Sequence, residues 1–448
     1  MDMTGSGTWT VTGSNTSSLG WNLKGGTLLI SSTFPSFEES VFAIDPYTTE
    51  NGFALLVTYS TGSELGDSTI NFDGGTLRTA RATMLNQNMI LAGNNNFDNG
   101  GNSNILSGVI SGMGGMNFAG TGHTTLTGAN TYAGGTTISA GTLVIGHGGT
   151  AGSITGDVTN NAALFFNRSD ALSFAGEISG SGSLTQQGAG TLTLTGSNSY
   201  TGGTTISDGT LQIGDGGVSG SIDGNVTNSG ALIFNRSDDL DFVDEISGSG
   251  SLTQQGGGIL TLTGSNSYTG STTISGGTLQ IGDGGVNGSI DGNVTNNGAL
   301  IFNRSDALSF AGEISGSGSL IQQGVGTLTL VGANTYSGDT IISAGKLLVN
   351  GSIAGNTFVN SGAILGGSGT VGNLVVNSGG ILSPGNSPGL LNITGDLTLS
   401  PGSTTVMEID GPTPVPSMTR STSVAPQRWM ARSTCSSAMR QLLVLNTI

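Results

Sequence analysis

Side chains able to do chemistry are few in this sequence and spread at even intervals. There are two histidines, His123 and His147, and one cysteine, Cys435. A metal centre needs three or four converging donors, and a general base needs a partner within hydrogen-bond reach. Neither histidine has a Cys or carboxylate cluster beside it. Both read as drift in a strand or corner: His123 falls near the place where parallel segments carry Leu192, Leu260 and Leu328, and His147 where they carry Asp215 and Asp283. Arg168, Arg236 and Arg304 recur with Asp170, Asp238 and Asp306. That pattern is either a ladder of binding arginines or, the reading favoured here, a salt bridge closing a turn. Asp215, Asp223, Asp283 and Asp291 invite a calcium reading, but the Gly-Gly-x-Gly-x-Asp nonapeptide is not met, and each is followed by glycine as in an Asp-Gly turn. Gly180, Ser181 and Gly182 resemble a nucleophile motif without its base. Sequons at Asn167, Asn225 and Asn235 are compositional in so Asn-rich a repeat. No catalytic, cofactor-binding or metal residue is assigned, and the chain is expected not to be an enzyme. The competing reading, a carbohydrate-cleaving enzyme, would need carboxylates gathered with Arg or Lys on one wall.

The elements that would position any of these residues are written in the composition. Of 448 residues 81 are glycine, 9% are charged and 5% aromatic. A globular enzyme or a charged disordered segment has more charge than this, and no Gly-X-Y period is present. The net charge of −17, with only Lys24 and Lys346 as lysines, leaves no basic stripe for nucleic acid and disfavours anionic membranes. No apolar run is long enough for a transmembrane helix.

Self-similarity is the main signal. Asn130, Asn198, Asn266 and Asn334, each followed two positions later by Tyr, recur at one constant interval. Residues 191–256 and 259–324 differ at 10 of 66 positions. Within a unit, Leu192 and Leu194 alternate with Thr191, Thr193 and Thr195, and Gly, Asn or Asp pairs punctuate short runs such as 205–207 and 211–213. This is strand periodicity with tight corners and no helical period. The sequence predicts an all-β fold, a single-stranded parallel β-helix. Each 68-residue unit should make three coils of about 23 residues. Leu194, Leu262 and Leu330 should then stack on one interior line, and Asn160, Asn228 and Asn296 should form ladders at a corner. Leu348 and Val375 are expected in the core. A propeller is the structural competitor. Phe34–Ser60, rich in acidic and aromatic residues, reads as an N-terminal cap or, alternatively, a partner-contacting loop.

The stretch from Gly188 to Gly214 resembles the passenger-associated transport repeat of bacterial autotransporters in order and spacing as well as composition. Further copies begin near Gly120, Gly256 and Gly324, and looser ones lie at Gly25–Leu28 and Gly74–Leu77. Ser361–Gly372 and Leu382–Gly389 resemble the segment that closes such passengers. The resemblance implies a right-handed β-helix exported to the cell surface by a C-terminal outer-membrane β-barrel translocator, with the repeat itself implicated in transport. A surface scaffold, adhesive or biofilm-forming, is the function it implies.

The domains expected are 1–108, N-terminal coils with a cap or loop; 109–350, three repeats and a partial fourth; 351–410, closing coils; and 411–448, a disordered tail. No barrel follows and no signal peptide precedes, so a fragment of a broken gene is the remaining alternative. The tail has no acidic residue and holds four of eleven basic residues and four of nine prolines. Back-translated and read one base out of register, its codons are compatible with passenger-like sequence that restores Asp-Gly-Thr-Leu, so a frameshift is expected there.

Overall fold

Leu192 lies between Leu172 and Leu211, and Leu194 between Phe174 and Ile213, in parallel register. On the strand Thr191–Leu194 the two leucines alternate with Thr191 and Thr193, so both point to one side. That side is the interior: both are 1% exposed or less. Burying a side chain of this size stabilises by about 1.5–3 kcal/mol, and every coil adds several.

The computed structural model describes residues 82–385 and 389–410, the stretches 69–72 and 74–79, and strands alone within 2–57 and 429–447. The expected cap, Phe34–Ser60, lies outside the described residues apart from the strands Phe42–Ile44 and Ala54–Val57. Every regular element among the described residues is a β-strand. The chain forms two units, 1–215 with 219–232, and 216–218 with 233–448. Each is a parallel β-solenoid, as the alternation predicted. The antiparallel strand pairs are those joining Thr404–Asp410 to Arg440–Thr447 and the latter to Trp429–Cys435.

The coil is shorter than its sequence period implies. On one face of the first unit the register runs Thr124, Leu143, Leu164, Leu184, Thr204, Val226, and every one of these steps is shorter than the coil expected. Each coil has three faces. Counting from His123–Leu126 and stopping before the equivalent strand Thr191–Leu194, one period on, the chain makes ten face segments, eight of them strands and two isolated bridges at Ala129 and Ser153. Ten segments at three per coil are three and a third coils, so each repeat starts one face further round than the last.

Two expectations fall with this geometry. Leu194, Leu262 and Leu330 are all buried, but they do not share a line. In the first unit Leu126 pairs with Ile145, whereas Leu194 pairs with Ile213 in another sheet. In the second, Leu262 pairs with Ile281 and Leu330 with Val349, again in different sheets. Nor do Asn160, Asn228 and Asn296 form ladders. Their coil neighbours are Ile138, Ile206 and Ile274, and they point inward, fully buried. Asn160 Nδ2 donates to the Ser183 carbonyl at 2.8 Å instead. Asparagine ladders do occur, in the closing coils, where the step shortens again and brings like residues together: Asn373 Nδ2 donates to Asn356 Oδ1 at 2.9 Å, and Asn377 Nδ2 to Asn360 Oδ1 at 3.0 Å.

Leu348 and Val375 also differ from expectation. Strand alternation buries Leu347 and Val349, and Leu374 and Val376, and turns Leu348 and Val375 outward. An apolar run cannot bury consecutive residues on one face of a strand.

Close stacking of corners explains the glycine content. A Cβ on Gly188 would lie 2.1 Å from the Arg168 carbonyl oxygen of the neighbouring coil. At Gly209, φ is +60° and a Cβ would meet the Gly188 and Gly190 carbonyls at 2.4 Å. Only glycine suits both the close approach and the left-handed backbone.

Candidate functional site

The recurring Asn-x-Tyr is the most elaborate constellation in the fold. Where it stands the chain makes at most a short bridge to the next coil, and the side chains replace the missing ladder. Asn198 Oδ1 accepts the Ile178 N–H at 2.9 Å, and its Nδ2 donates to the carbonyls of Ser221 at 2.8 Å and Gly196 at 3.1 Å. One amide thus joins three consecutive coils. Asn130 and Asn266 repeat the contacts to Ile110 and Ser153, and to Ile246 and Ser289. Two positions on, Tyr200 is fully buried, and its hydroxyl shares a 2.6 Å hydrogen bond with Thr204 Oγ1. Burial pushes this phenol, like those of Tyr132, Tyr268 and Tyr336, well above its ordinary value. A phenol held protonated and away from solvent is a staple and not an acid–base catalyst. The sequence displayed the motif as a marker of the period. Its role was invisible there, because the partners of Asn198, Ile178 and Ser221, lie a whole coil away on either side.

Arg168 closes a corner. Its Nε and Nη2 donate to the two Asp170 carboxylate oxygens at 2.8 and 2.7 Å, and Nη1 donates to the Gly152 carbonyl, holding the loop 146–152. Arg304 does the same with Asp306 and Gly288, and Arg236 grips Asp238 at 2.9 and 2.7 Å. Hydrogen bonds from Arg168 hold the Asp170 carboxyl below the usual carboxylate range. In the second unit Arg236 follows a strand edge stacked on Gln255, whereas Arg304 follows Phe302, which stacks on Gln322 in another sheet. The arginines therefore do not line up as a binding ladder. Next to Arg168, Phe166, Leu172, Gln186 and Leu192 line a shallow surface crease too small to admit a ligand.

The other candidates stay apart. His123 opens its strand exposed, one position before the apolar site, which Thr124 fills. His147 lies exposed in the loop that Arg168 holds. Asp283 Oδ1 accepts the Gly285 N–H at 3.0 Å, as an Asp-Gly turn requires. Among the described residues no three His, Cys, Asp or Glu side chains converge as a metal site would need, and no helix is long and apolar enough to cross a membrane.

Comparison with known proteins gives this geometry a family. The Passenger-associated-transport-repeat family matches residues 2–30, 119–145, 184–213, 252–281 and 320–349. This chain is autotransporter passenger sequence. Four of the matches coincide with the copies near Gly120, Gly188, Gly256 and Gly324. The passenger's match at 2–30 is a fifth copy, of which the sequence alone disclosed only the fragment Gly25–Leu28. The match 184–213 begins inside the strand Ser183–Gln186 and covers the strands Thr191–Leu194, Thr204–Ile206 and Thr210–Ile213, with the Asn198 and Tyr200 staple among them. In the four copies that carry Asn-x-Tyr, the transport repeat is therefore the stapled part of the solenoid. The passenger is 39% identical over 181 residues to the "Adhesin BmaC autotransporter" of Brucella suis biovar 1, covering 36% of this chain and 5% of that protein. It is 50% identical over 46 residues to an "Extracellular serine protease" of Serratia marcescens, covering 10% of this chain and 4% of the protease. It thus spans about a twentieth of the relatives it matches. No solved structure matches it.

Proposed function

We propose that the chain is a β-helical scaffold displayed at the cell surface, that it acts by adhesion rather than catalysis, and that it is delivered through an outer-membrane β-barrel translocator. The observation that carries the reading is the adhesin likeness, which extends over 181 residues, more than two whole repeat units. The protease likeness is 46 residues long, less than one unit. It covers 4% of that protease. The wall geometry agrees: Arg168, Arg236 and Arg304 are tied to Asp170, Asp238 and Asp306 in corner latches, and outward strand positions such as Thr191, Thr193, Thr205 and Thr227 carry hydroxyls.

The repeats give the scaffold a way to assist its own export. Each coil stacks on its neighbours alone, so folding can advance coil by coil. Coils that fold outside would bias the chain against sliding back. The test is display. The chain is placed between a signal peptide and a β-barrel in a non-adherent bacterium, and attachment to glycan, matrix-protein and bacterial surfaces is measured. Attachment above the barrel-only strain is the expected result. Surface display without attachment, accompanied by hydrolysis of a polysaccharide or protein panel, would overturn the reading.

A further inference from the structure

Val375, outward where the core was expected, belongs to a column. In the second unit the register Ile301, Ile321, Ile341, Phe358, Val375 runs through five consecutive coils. All five side chains are outward and partly exposed, while the adjoining Leu300, Leu320, Ile342, Val359 and Val376 fill the core. The fold does not require apolar residues there. In the preceding repeat the equivalents of Ile321 and Ile341 are Thr253 and Thr273, which with Thr295 and Ser315 make a hydroxyl column of the same kind.

Polar ladders border the last three coils of this column, those of Ile341, Phe358 and Val375. On one edge Asn356 Nδ2 donates to Asp339 Oδ1, Asn373 Nδ2 to Asn356 Oδ1, and the Asp396 N–H to Asn373 Oδ1, each at 2.9 Å. On the other edge Asn377 donates to Asn360 at 3.0 Å. A carboxamide has two N–H donors and the ladder uses one of them, so each Asn can still present a fixed donor to a ligand.

We propose that this wall binds a linear, uncharged, β-linked polysaccharide running along the coil axis. The column is one side chain wide and five coils long, far less than the roughly 800 Å² per partner of an ordinary protein interface. A narrow chain fits it better than a second folded surface does. An extended β-linked pyranose chain carries C–H faces in line and hydroxyls along both edges. Coils about 4.8 Å apart are close to the length of one such ring, so each ring would meet one apolar side chain, with amides at the edge of the last coils. Asp339, Asp396 and the net charge of −17 select against an anionic polymer. This inference rests on the adhesive reading and names its ligand class.

The test compares the purified chain with a variant carrying Ile321→Thr, Ile341→Thr, Phe358→Thr and Val375→Thr, the residue type that a neighbouring outward column already carries. Mobility is measured in gels containing hydroxyethylcellulose, glycol chitin or dextran, and oligomeric state by sedimentation. Retardation by at least one β-linked polymer is expected, with none by the α-linked dextran, and with an association constant at least tenfold weaker in the variant at unchanged melting temperature. No retardation by either β-linked polymer overturns the proposal, as does equal retardation of the variant or equal retardation by dextran. Self-association that the variant loses, without glycan binding, overturns it in favour of a second copy. Attachment of displayed cells that the four substitutions leave intact defeats this inference alone, and glycan binding by a chain whose displayed form attaches to nothing defeats the adhesive reading alone.

Discussion

Asn198 Oδ1 accepts the backbone N–H of Ile178, one coil earlier in the chain, at 2.9 Å. A side chain here takes the place of a strand. The exchange predicts a cost out of proportion to one polar residue. Asn198→Ala leaves the Ile178 N–H and the Ser221 carbonyl without these partners, and each orphaned buried group costs about 1–3 kcal/mol. Asn198→Asp keeps the acceptor and loses the donor, so it should recover little. Urea unfolding checks both; a loss for Asn198→Ala no larger than that of an outward Thr193→Ala control contradicts the staple.

The buried tyrosines set an alkaline limit. Each phenol is raised above its ordinary 10.0 by burial. The folded state therefore holds these protons where the unfolded chain gives them up. Their contribution to stability is complete below pH 10 and declines as pH rises beyond it toward the folded values. Tyrosinate absorbance in the near ultraviolet should show the four tyrosines ionising only as the coils melt. Early, reversible ionisation of all six tyrosines would argue against this. Tyr200→Phe removes the bond to Thr204 and should cost about 1–2 kcal/mol.

The corner latch works at the other end of the scale. Asp170, Asp238 and Asp306 are each lowered from 3.8, first through the hydrogen bond from the neighbouring arginine. A lowered carboxyl stabilises the fold above its unfolded value, and that contribution is lost as pH falls below 3.8 through the folded one. Arg168→Ala should abolish this acid dependence for its corner and loosen the loop 146–152. Limited proteolysis should then cut within 147–151 first; an unchanged cleavage pattern would count against the latch.

Deletions can separate a repeat of three and a third coils from one of three. Removing Ile259–Gly326, one full period, joins Gly258 to Thr327 and places Asn334 where Asn266 stood, so that Ile246 still finds its acceptor. Removing 259–318, three whole coils, keeps every face but leaves Ile246 without that staple. The longer deletion should melt cooperatively near the parent temperature and the shorter one well below it. The reverse order would show that the repeat does not wind as described.

Much of the fold was legible because alternation at Thr191–Leu194 and glycine at Gly188 and Gly209 are local facts with local causes. Strand type, parallel stacking, buried leucines and the family resemblance all follow from the order of residues within a single copy of the transport repeat. The site was less legible. That Arg168 grips Asp170, two positions on, could be anticipated, but its third bond, to Gly152, could not.

What the sequence could not determine was the length of one coil. The interval from Asn198 to Asn266 fixes only the product of coil length and coils per repeat. Corner conformations and side-chain staples divide that product, and they are settled by contacts between neighbouring coils, such as Asn356 with Asp339 and Asn198 with Ser221. That division decided that Leu262 and Leu330 lie in different sheets, that Asn160 points inward beside Ile138, and that Asn356 and Asn373 form the ladder. It also decided that Leu348 and Val375 turn outward. Their neighbours occupy the interior positions of the strand, and a pleated chain offers every second side chain to the core.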